Sequence, residues 1–371
     1  MSQRLRVGVA GCGAVAQIMH LPHLREMDDL YELVGLADVS AEVLELVGQH
    51  YGVEPRHRYR SLSELLAAPI DAVLILTPGS HGEACVEAAT ADKHVFVEKP
   101  LAFTMRELDE IEAAIERAGV TLQVGYMKRY DPAYVRARPL VRALADLRFG
   151  QITTVHPASE LFWEHQPIRR RRGQPAKHRY APPPYPPLAL ESEVSDGHDA
   201  RLLREALGAN APAAQLGAFN VMLSSLCHDV NALRGLIGEP ARVVSCEVWQ
   251  RGGCASTVLA YGDELRVSYS FVYLPNLRSY HEELAFFGAS ERVRLVFPSP
   301  FLRNMPTELF HERSDDGAAA ETRAIVSYEE AFEEELRAFH RNVTERLRPE
   351  TDVEDSRGDL RVLTEMAKKA F

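Results

Sequence analysis

The chain has 371 residues, too many for one ordinary core and comfortable for two domains. Hydrophobic residues make up 46% and charged residues 26%, an ordinary globular balance. The formal net charge of −11 argues against nucleic acid or an anionic membrane as the main partner, and it leaves a small-molecule pocket open.

The five cysteines, Cys12, Cys85, Cys227, Cys246 and Cys254, show no CxxC spacing and are odd in number. They read as free thiols in a reducing compartment, not as a disulfide framework or zinc site. No apolar run approaches the ~18 residues of a membrane span. Arg4 and Arg6 precede an apolar stretch, but Gly8, Gly11 and Gly13 break it, so a signal peptide is not expected. The expected location is cytoplasmic.

In chain order, Leu5–Ala10 predicts a buried strand and Ala14–Met27 a helix. Leu33–Asp38 predicts a second strand, Ala41–Tyr51 a helix, Asp71–Thr77 a third strand and His81–Ala91 a helix. His94–Glu98 predicts a fourth strand, Met105–Ala118 a helix and Val120–Gly125 a fifth strand. Near-continuous apolar strands alternating with amphipathic helices make an α/β, doubly wound parallel sheet over residues 1–125.

After Tyr126 the rhythm changes. Gln151–Glu160, Arg242–Gln250, Ser256–Tyr261, Glu264–Tyr273 and Glu283–Phe287 read as strands that mostly follow one another without long helices. They predict a large, mostly antiparallel sheet in an α+β domain spanning 126–371. A long helix is expected over Pro212–Ile237, closed by Gly238, with further helices over Tyr328–Leu347 and Ser356–Phe371, the last able to pack back on the first domain. The segment Glu164–Pro187 carries four consecutive arginines and a proline run. It reads as an extended surface excursion: either a solvated loop, or a lid bringing positive charge to an anionic substrate.

Gly11-Cys12-Gly13-Ala14-Val15-Ala16 matches GxGxx(G/A) between a strand and a helix. Gly11 permits the tight turn, Gly13 clears a side chain from the path of a pyrophosphate, and Ala16 lets the helix pack close to the sheet. The free N–H groups of the helix start favour the anion. Asp38 lies at the end of the second strand, where a carboxylate can accept from ribose hydroxyls and would repel a 2′-phosphate. NAD is therefore favoured over NADP. Ligands of such sheets bind beyond the carboxyl ends of the strands, where Thr77, Pro78, Glu98, Lys99 and Pro100 also fall. Glu98 and Lys99 either pair as surface charges or serve the reacting centre.

These stretches, with "VFVEKPLAF" at Val95–Phe103, resemble the glucose–fructose oxidoreductase, inositol dehydrogenase and rhizopine-catabolism (Gfo/Idh/MocA) family. The resemblance is strong over Met1–Tyr134 and returns in pieces such as "HDVNALRGLIGEP". It implies an N-terminal Rossmann domain and a C-terminal open sheet that joins homodimers or homotetramers. It also implies hydride transfer between a nicotinamide cofactor and a sugar, inositol or related polyol, with Lys99 catalytic and the Lys99–Pro100 bond often cis. His228 matches the family histidine, while Ser224 and Asn231 replace two family aspartates. The 3.6-residue period puts Ser224, His228 and Asn231 on one stripe of one helix, facing one pocket, with Asp229 pointing elsewhere.

By the same resemblance Arg129 is placed at the substrate, and Trp163 either lines the sugar pocket or packs in the core. Tyr126 either stacks near the nicotinamide or marks the domain boundary, and His81 is structural or cofactor-adjacent. His20 and His23 match no acid cluster, so no metal site is expected. Two alternatives stay open: tightly held NAD cycling internally during sugar elimination or epimerisation, and an NAD-binding regulatory protein without catalysis.

Overall fold

The computed structural model describes residues 4–163, 165–169 and 197–371. The described chain falls into two compact units. The first holds the N-terminal chain through Met127 together with Phe332–Arg357. The second begins at Lys128 and also takes Gly358–Phe371.

The first unit is built on six strands: β1 Leu5–Ala10, β2 Tyr31–Ala37, β3 Arg58–Tyr59, β4 Ala72–Ile75, β5 His94–Glu98 and β6 Leu122–Gly125. All pair in parallel, in the order β3-β2-β1-β4-β5-β6. The strand order reverses between β1 and β4, which opens a crevice at their carboxyl ends. The four residues of β4 are all buried, as a strand covered on both faces requires. The helices Ala41–Tyr51 and Met105–Ala118 begin and end where expected. Ser40 caps the first of these, and a reciprocal Thr104–Glu107 capping box opens the second. The strand β3 and the helix Leu62–Leu66 are too short to leave a periodic signal.

Phe332–Arg357 completes this unit's core. Phe339 packs edge-on against Phe96 of β5, and Tyr31 Oη donates to Leu336 O at 2.5 Å. The edge strand β6 is closed by the returning chain: Val124 N–H donates to Thr351 O, and the Thr351 hydroxyl donates to Val124 O. An edge strand with its backbone groups paired is no template for another chain.

The second unit carries eight strands: β7 Phe149–His156, β8 Arg242–Trp249, β9 Cys254–Tyr261, β10 Leu265–Tyr273, β11 His281–Phe287, β12 Glu291–Phe297, β13 Glu308–Asp315 and β14 Ala318–Ile325. Their order is β14-β13-β12-β11-β7-β10-β9-β8, and only β7–β10 pairs in parallel. The mostly antiparallel sheet is thus as expected, enlarged by β12, β13 and β14. Alternation is visible in β10, where Val267, Tyr269 and Phe271 are buried and their neighbours half-buried. The expected long helix runs as Ala213–Val221, a wide π-turn at Met222–Leu226, and Cys227–Ile237.

Most of the Glu164–Pro187 segment, and so the lid reading, lies outside the described residues. No helix among the described residues is long and apolar enough to cross a membrane.

Candidate active site

The carboxyl edge of the first sheet gathers most of the expected cofactor residues. Gly11 has φ +95°, and a Cβ there would sit 2.8 Å from the carbonyl carbon and oxygen of Leu76. Only glycine fits that turn. A Cβ on Gly13 would meet nothing within 4 Å, so the loop backbone there stands open. Ala16 is buried, and the helix after it opens as a π-turn over Ala16–His20. Ala14 and Val15 are half-buried on the same turn.

Cys12 turns its side chain inward and is fully buried, so only its backbone can serve a ligand. Burial, with Asp38 nearby, pushes its thiol up to about 12. Its N–H donates to Asp38 Oδ2 at 2.8 Å, and Ser40 N–H donates to Asp38 Oδ1 at 2.7 Å. Asp38 therefore ties the glycine loop to β2 while remaining half-exposed, and each oxygen keeps a lone pair for a ribose hydroxyl. Gln17, which the sequence did not single out, donates to Cys12 O at 2.8 Å. The same side chain exchanges hydrogen bonds with the backbone of Arg169, at 3.1 Å from Nε2 and 2.7 Å to Oε1.

Thr77 and Pro78 are exposed at the end of β4. His81, fully buried, ties that loop to the next: its Nε2 lies 2.6 Å from Thr77 O and its Nδ1 2.7 Å from Pro100 O. The Lys99–Pro100 bond is cis and Lys99 is half-buried. Behind this turn, buried Glu107 accepts from Ser80 Oγ at 2.5 Å and from the N–H groups of Phe103 and Thr104 at 3.1 and 3.0 Å. One carboxylate thus holds both loops that border the crevice.

The two carboxylate oxygens of Glu98 take different partners. Its Oε1 pairs with His20 Nε2 at 2.8 Å, and its Oε2 accepts from Lys99 N–H at 3.3 Å. Burial pushes the Glu98 carboxyl up, but the hydrogen bond from His20 and the nearby positive groups outweigh it and hold the acid below its ordinary value. The ring of His20 packs edge-on between Phe96 and Phe332. Its Nδ1 and both carboxyl oxygens of Glu335 are buried without a hydrogen-bond partner among the described residues. Burial, reinforced by Glu98, drives the Glu335 carboxyl well above its ordinary value. Tyr126 is buried at the end of β6.

The second unit holds Arg129, Ser224, His228 and Asn231. Along the expected stripe burial deepens: Ser224 is exposed, His228 half-buried and Asn231 fully buried. The wide turn at Met222–Leu226 shifts the helical phase, so the regular 3.6 period does not carry across it. Asn231 Nδ2 donates to Asp359 Oδ2 at 2.8 Å, and Arg129 Nη1 donates to Asn231 Oδ1 at 3.3 Å. Arg129 and Asn231, expected at a substrate, are thereby held in a buried network, which Arg234 joins through Asp359 at 2.5 Å. Trp163 ends the short helix Glu160–Trp163.

Beside His228, Asp229 is buried against the sheet. Its Oδ1 accepts from Lys128 Nζ at 2.7 Å, and its Oδ2 from Tyr269 Oη at 2.7 Å and Thr154 Oγ1 at 2.8 Å. Lys128 also meets Glu282, which accepts from Tyr280 Oη at 2.5 Å. Burial pushes the Asp229 carboxyl up, but the charge of Lys128, with hydrogen bonds from Glu282, Lys128 and Tyr269, outweighs it and holds Asp229 below its ordinary value. Burial pushes Glu282 up to about 8, with Asp229 adding to the rise and Lys128 opposing it. These residues bolt the first turn of Cys227–Ile237 to β7, β10 and β11.

Among the described residues no group of His, Cys, Asp and Glu could hold a metal ion. The open backbone at Gly13, the enforced turn at Gly11 and the carboxylate of Asp38 fit a dinucleotide.

Residues 5–126 match the model of the oxidoreductase family with NAD-binding Rossmann fold, Gfo/Idh/MocA. The chain is 34% identical over 145 residues to the scyllo-inositol 2-dehydrogenase (NAD(+)) of Bacillus subtilis, covering 38% of this chain and 42% of that one. It spans less than half the length of the curated relatives it matches. Across the whole chain the fold is similar to the aldose-aldose oxidoreductase of Caulobacter crescentus complexed with glycerol. That match has a TM-score of 0.72 at 21% identity, over 99% of this chain and 98% of the other. It is also similar to KijD10, a 3-ketoreductase from Actinomadura kijaniata in complex with NADP. Here the TM-score is 0.69 at 18% identity, over 98% and 96% of the two chains. The glycine loop, the strand-end Asp38 and Lys99 all lie within residues 5–126, the part of the chain that matches the oxidoreductase family with an NAD-binding Rossmann fold.

Proposed function

We propose that the protein transfers hydride between NAD and a CH–OH carbon of a sugar, inositol or related polyol. One observation carries this reading: Lys99 stands at the carboxyl end of β5, on the same sheet edge as the Gly11–Ala16 loop and Asp38. A bound nicotinamide supplies the hydride acceptor. Gly13 leaves room for the pyrophosphate, and Asp38 accepts from the ribose. Lys99 hydrogen-bonds the reacting oxygen and stabilises charge developing there as the C–H bond breaks. His228 takes the hydroxyl proton, a role worth ~10²–10⁴-fold in rate. The chain is proposed to assemble as a homodimer or homotetramer through its eight-stranded sheet.

Arg129 and Asn231 support the substrate side from within their buried network by fixing the helix that carries His228. The test is turnover: purified protein, NAD and a panel of inositols, aldoses and sugar acids, with NADH formation followed by absorbance. NADH formation with any member, lost in Lys99→Met, supports the reading. A chain that binds NAD but reduces none of it across the panel overturns it.

A further inference from the structure

The ribose end of the cofactor edge contains a cation that lies far from Asp38 in sequence. Strand β3 pairs with β2 so that Tyr59 lies opposite Ala37, and Asp38 N–H donates to Tyr59 O at 3.2 Å. The next residue, Arg60, is thereby carried to the side of Asp38 and Val39. Its Nη2 donates to Val39 O, while its own backbone N–H donates to Glu64 Oε2 at 2.8 Å. Arg60 is exposed, and Val39 is 84% exposed beneath it. A guanidinium has five N–H donors, and the side-chain bond to Val39 uses one of them.

Asp38 is also less repulsive than a free carboxylate. Each of its oxygens already accepts a backbone N–H, from Cys12 and from Ser40. The charged groups joined by these bonds are Asp38, Glu64 and Arg60. Glu64 is drawn to the Arg60 backbone and to its own capping position, so its charge is partly spent. An adenosine 2′-phosphate set over Asp38 would meet one acid satisfied by two N–H groups and one guanidinium with donors to spare. Guanidinium–phosphate pairs are among the strongest charge-assisted hydrogen bonds.

We propose that Arg60 is a specificity-determining residue of the ribose subsite, giving the 2′-phosphate of NADP a partner so that the chain accepts NADP alongside NAD. This rests on the dinucleotide reading above. Asp38 sets the preference for NAD, and Arg60 limits its size.

The test is calorimetric binding of NAD and NADP to the full chain and to Arg60→Ala and Arg60→Gln, without substrate. The expected result is NADP binding to the parent within about tenfold of NAD. Both variants should lose about tenfold or more in NADP affinity while NAD affinity changes less than about threefold. Added salt should weaken NADP more than NAD in the parent and should not do so in the variants. An unchanged NADP-to-NAD ratio in both variants overturns the role of Arg60 and leaves the dinucleotide reading standing. Failure of the parent to bind either nucleotide overturns both. Because Arg60 is exposed, unchanged thermal unfolding of the variants serves as the folding control.

Discussion

Glu98 and His20, far apart in sequence, form a 2.8 Å hydrogen bond inside the first unit, immediately behind Lys99. The His20 ring packs against Phe96 and Phe332, and Glu335 lies on the same helix as Phe332 and Phe339. The acid of the Glu-Lys-Pro turn is thus a strut anchored on a buried histidine, and the half-buried lysine stands beside it at the crevice edge.

Glu335→Gln should stabilise the protein increasingly as pH rises. The folded-state value of Glu335 is raised, so its protonated form is favoured by folding. Its contribution is intact below the unfolded value and lost as pH climbs toward the folded one. Glutamine carries no such penalty. Urea unfolding of parent and variant from acid to mildly alkaline pH should show the gap widening with pH. A constant gap would contradict a raised Glu335 carboxyl.

Lys128→Met should be strongly destabilising, by about 3–5 kcal/mol, because it leaves Asp229 and Glu282 buried together without a cation. Lys128→Met combined with Glu282→Gln should recover part of the loss. In the parent, Glu282 is raised to about 8, so folding stability from this residue declines as pH rises from its ordinary range toward 8. Chemical denaturation of the two variants and a pH series on the parent measure both effects. Equal stability of the single and double variants would contradict the network.

Lys99→Met should retain fold and NAD affinity and lose turnover of whichever polyol the parent oxidises. Methionine keeps most of the stem, and the ammonium it lacks acts mainly in the transition state. His228→Asn should lower kcat less at high pH than at neutral pH, where solvent hydroxide substitutes for the base only weakly. Steady-state kinetics set beside NAD calorimetry separate rate from binding, and a Lys99→Met enzyme within a few-fold of the parent would reduce Lys99 to a strand-end charge.

Gly11→Ala and Gly13→Ala should fail in different ways. The first meets Leu76 backbone at 2.8 Å from a left-handed turn, and strain of that kind costs on the order of 1–3 kcal/mol. The second meets open space and should fold normally, yet its methyl stands where the pyrophosphate would approach. Thermal unfolding should therefore single out Gly11→Ala, and NAD calorimetry Gly13→Ala. Undiminished NAD binding by Gly13→Ala would place the phosphate elsewhere.

Local periodicity made the first unit readable, because a parallel strand buried on both faces and an amphipathic helix each leave a dense signal in a short window. Leu5–Ala10, Ala41–Tyr51, His94–Glu98 and Met105–Ala118 stand as the pattern predicts. The glycine loop and Asp38 were legible for the same reason: their chemistry is set by neighbours in the chain. The sheet of the second unit was legible in kind but not in extent, since β14 is exposed along nearly its whole length and carries no alternation.

Long-range packing decided the rest. Nothing near Glu98 in sequence announces His20, and nothing near Asp38 announces Arg60, because strand pairing and aromatic enclosure bring them together. The stripe expected of Ser224, His228 and Asn231 assumed a uniform helix, and the π-turn at Met222–Leu226 rotates one end against the other. Periodicity determines which face of an element is buried. Which charged groups share that burial depends on partners a hundred residues away, such as Lys128 and Asp229, whose low-dielectric surroundings exist only once the chain has folded.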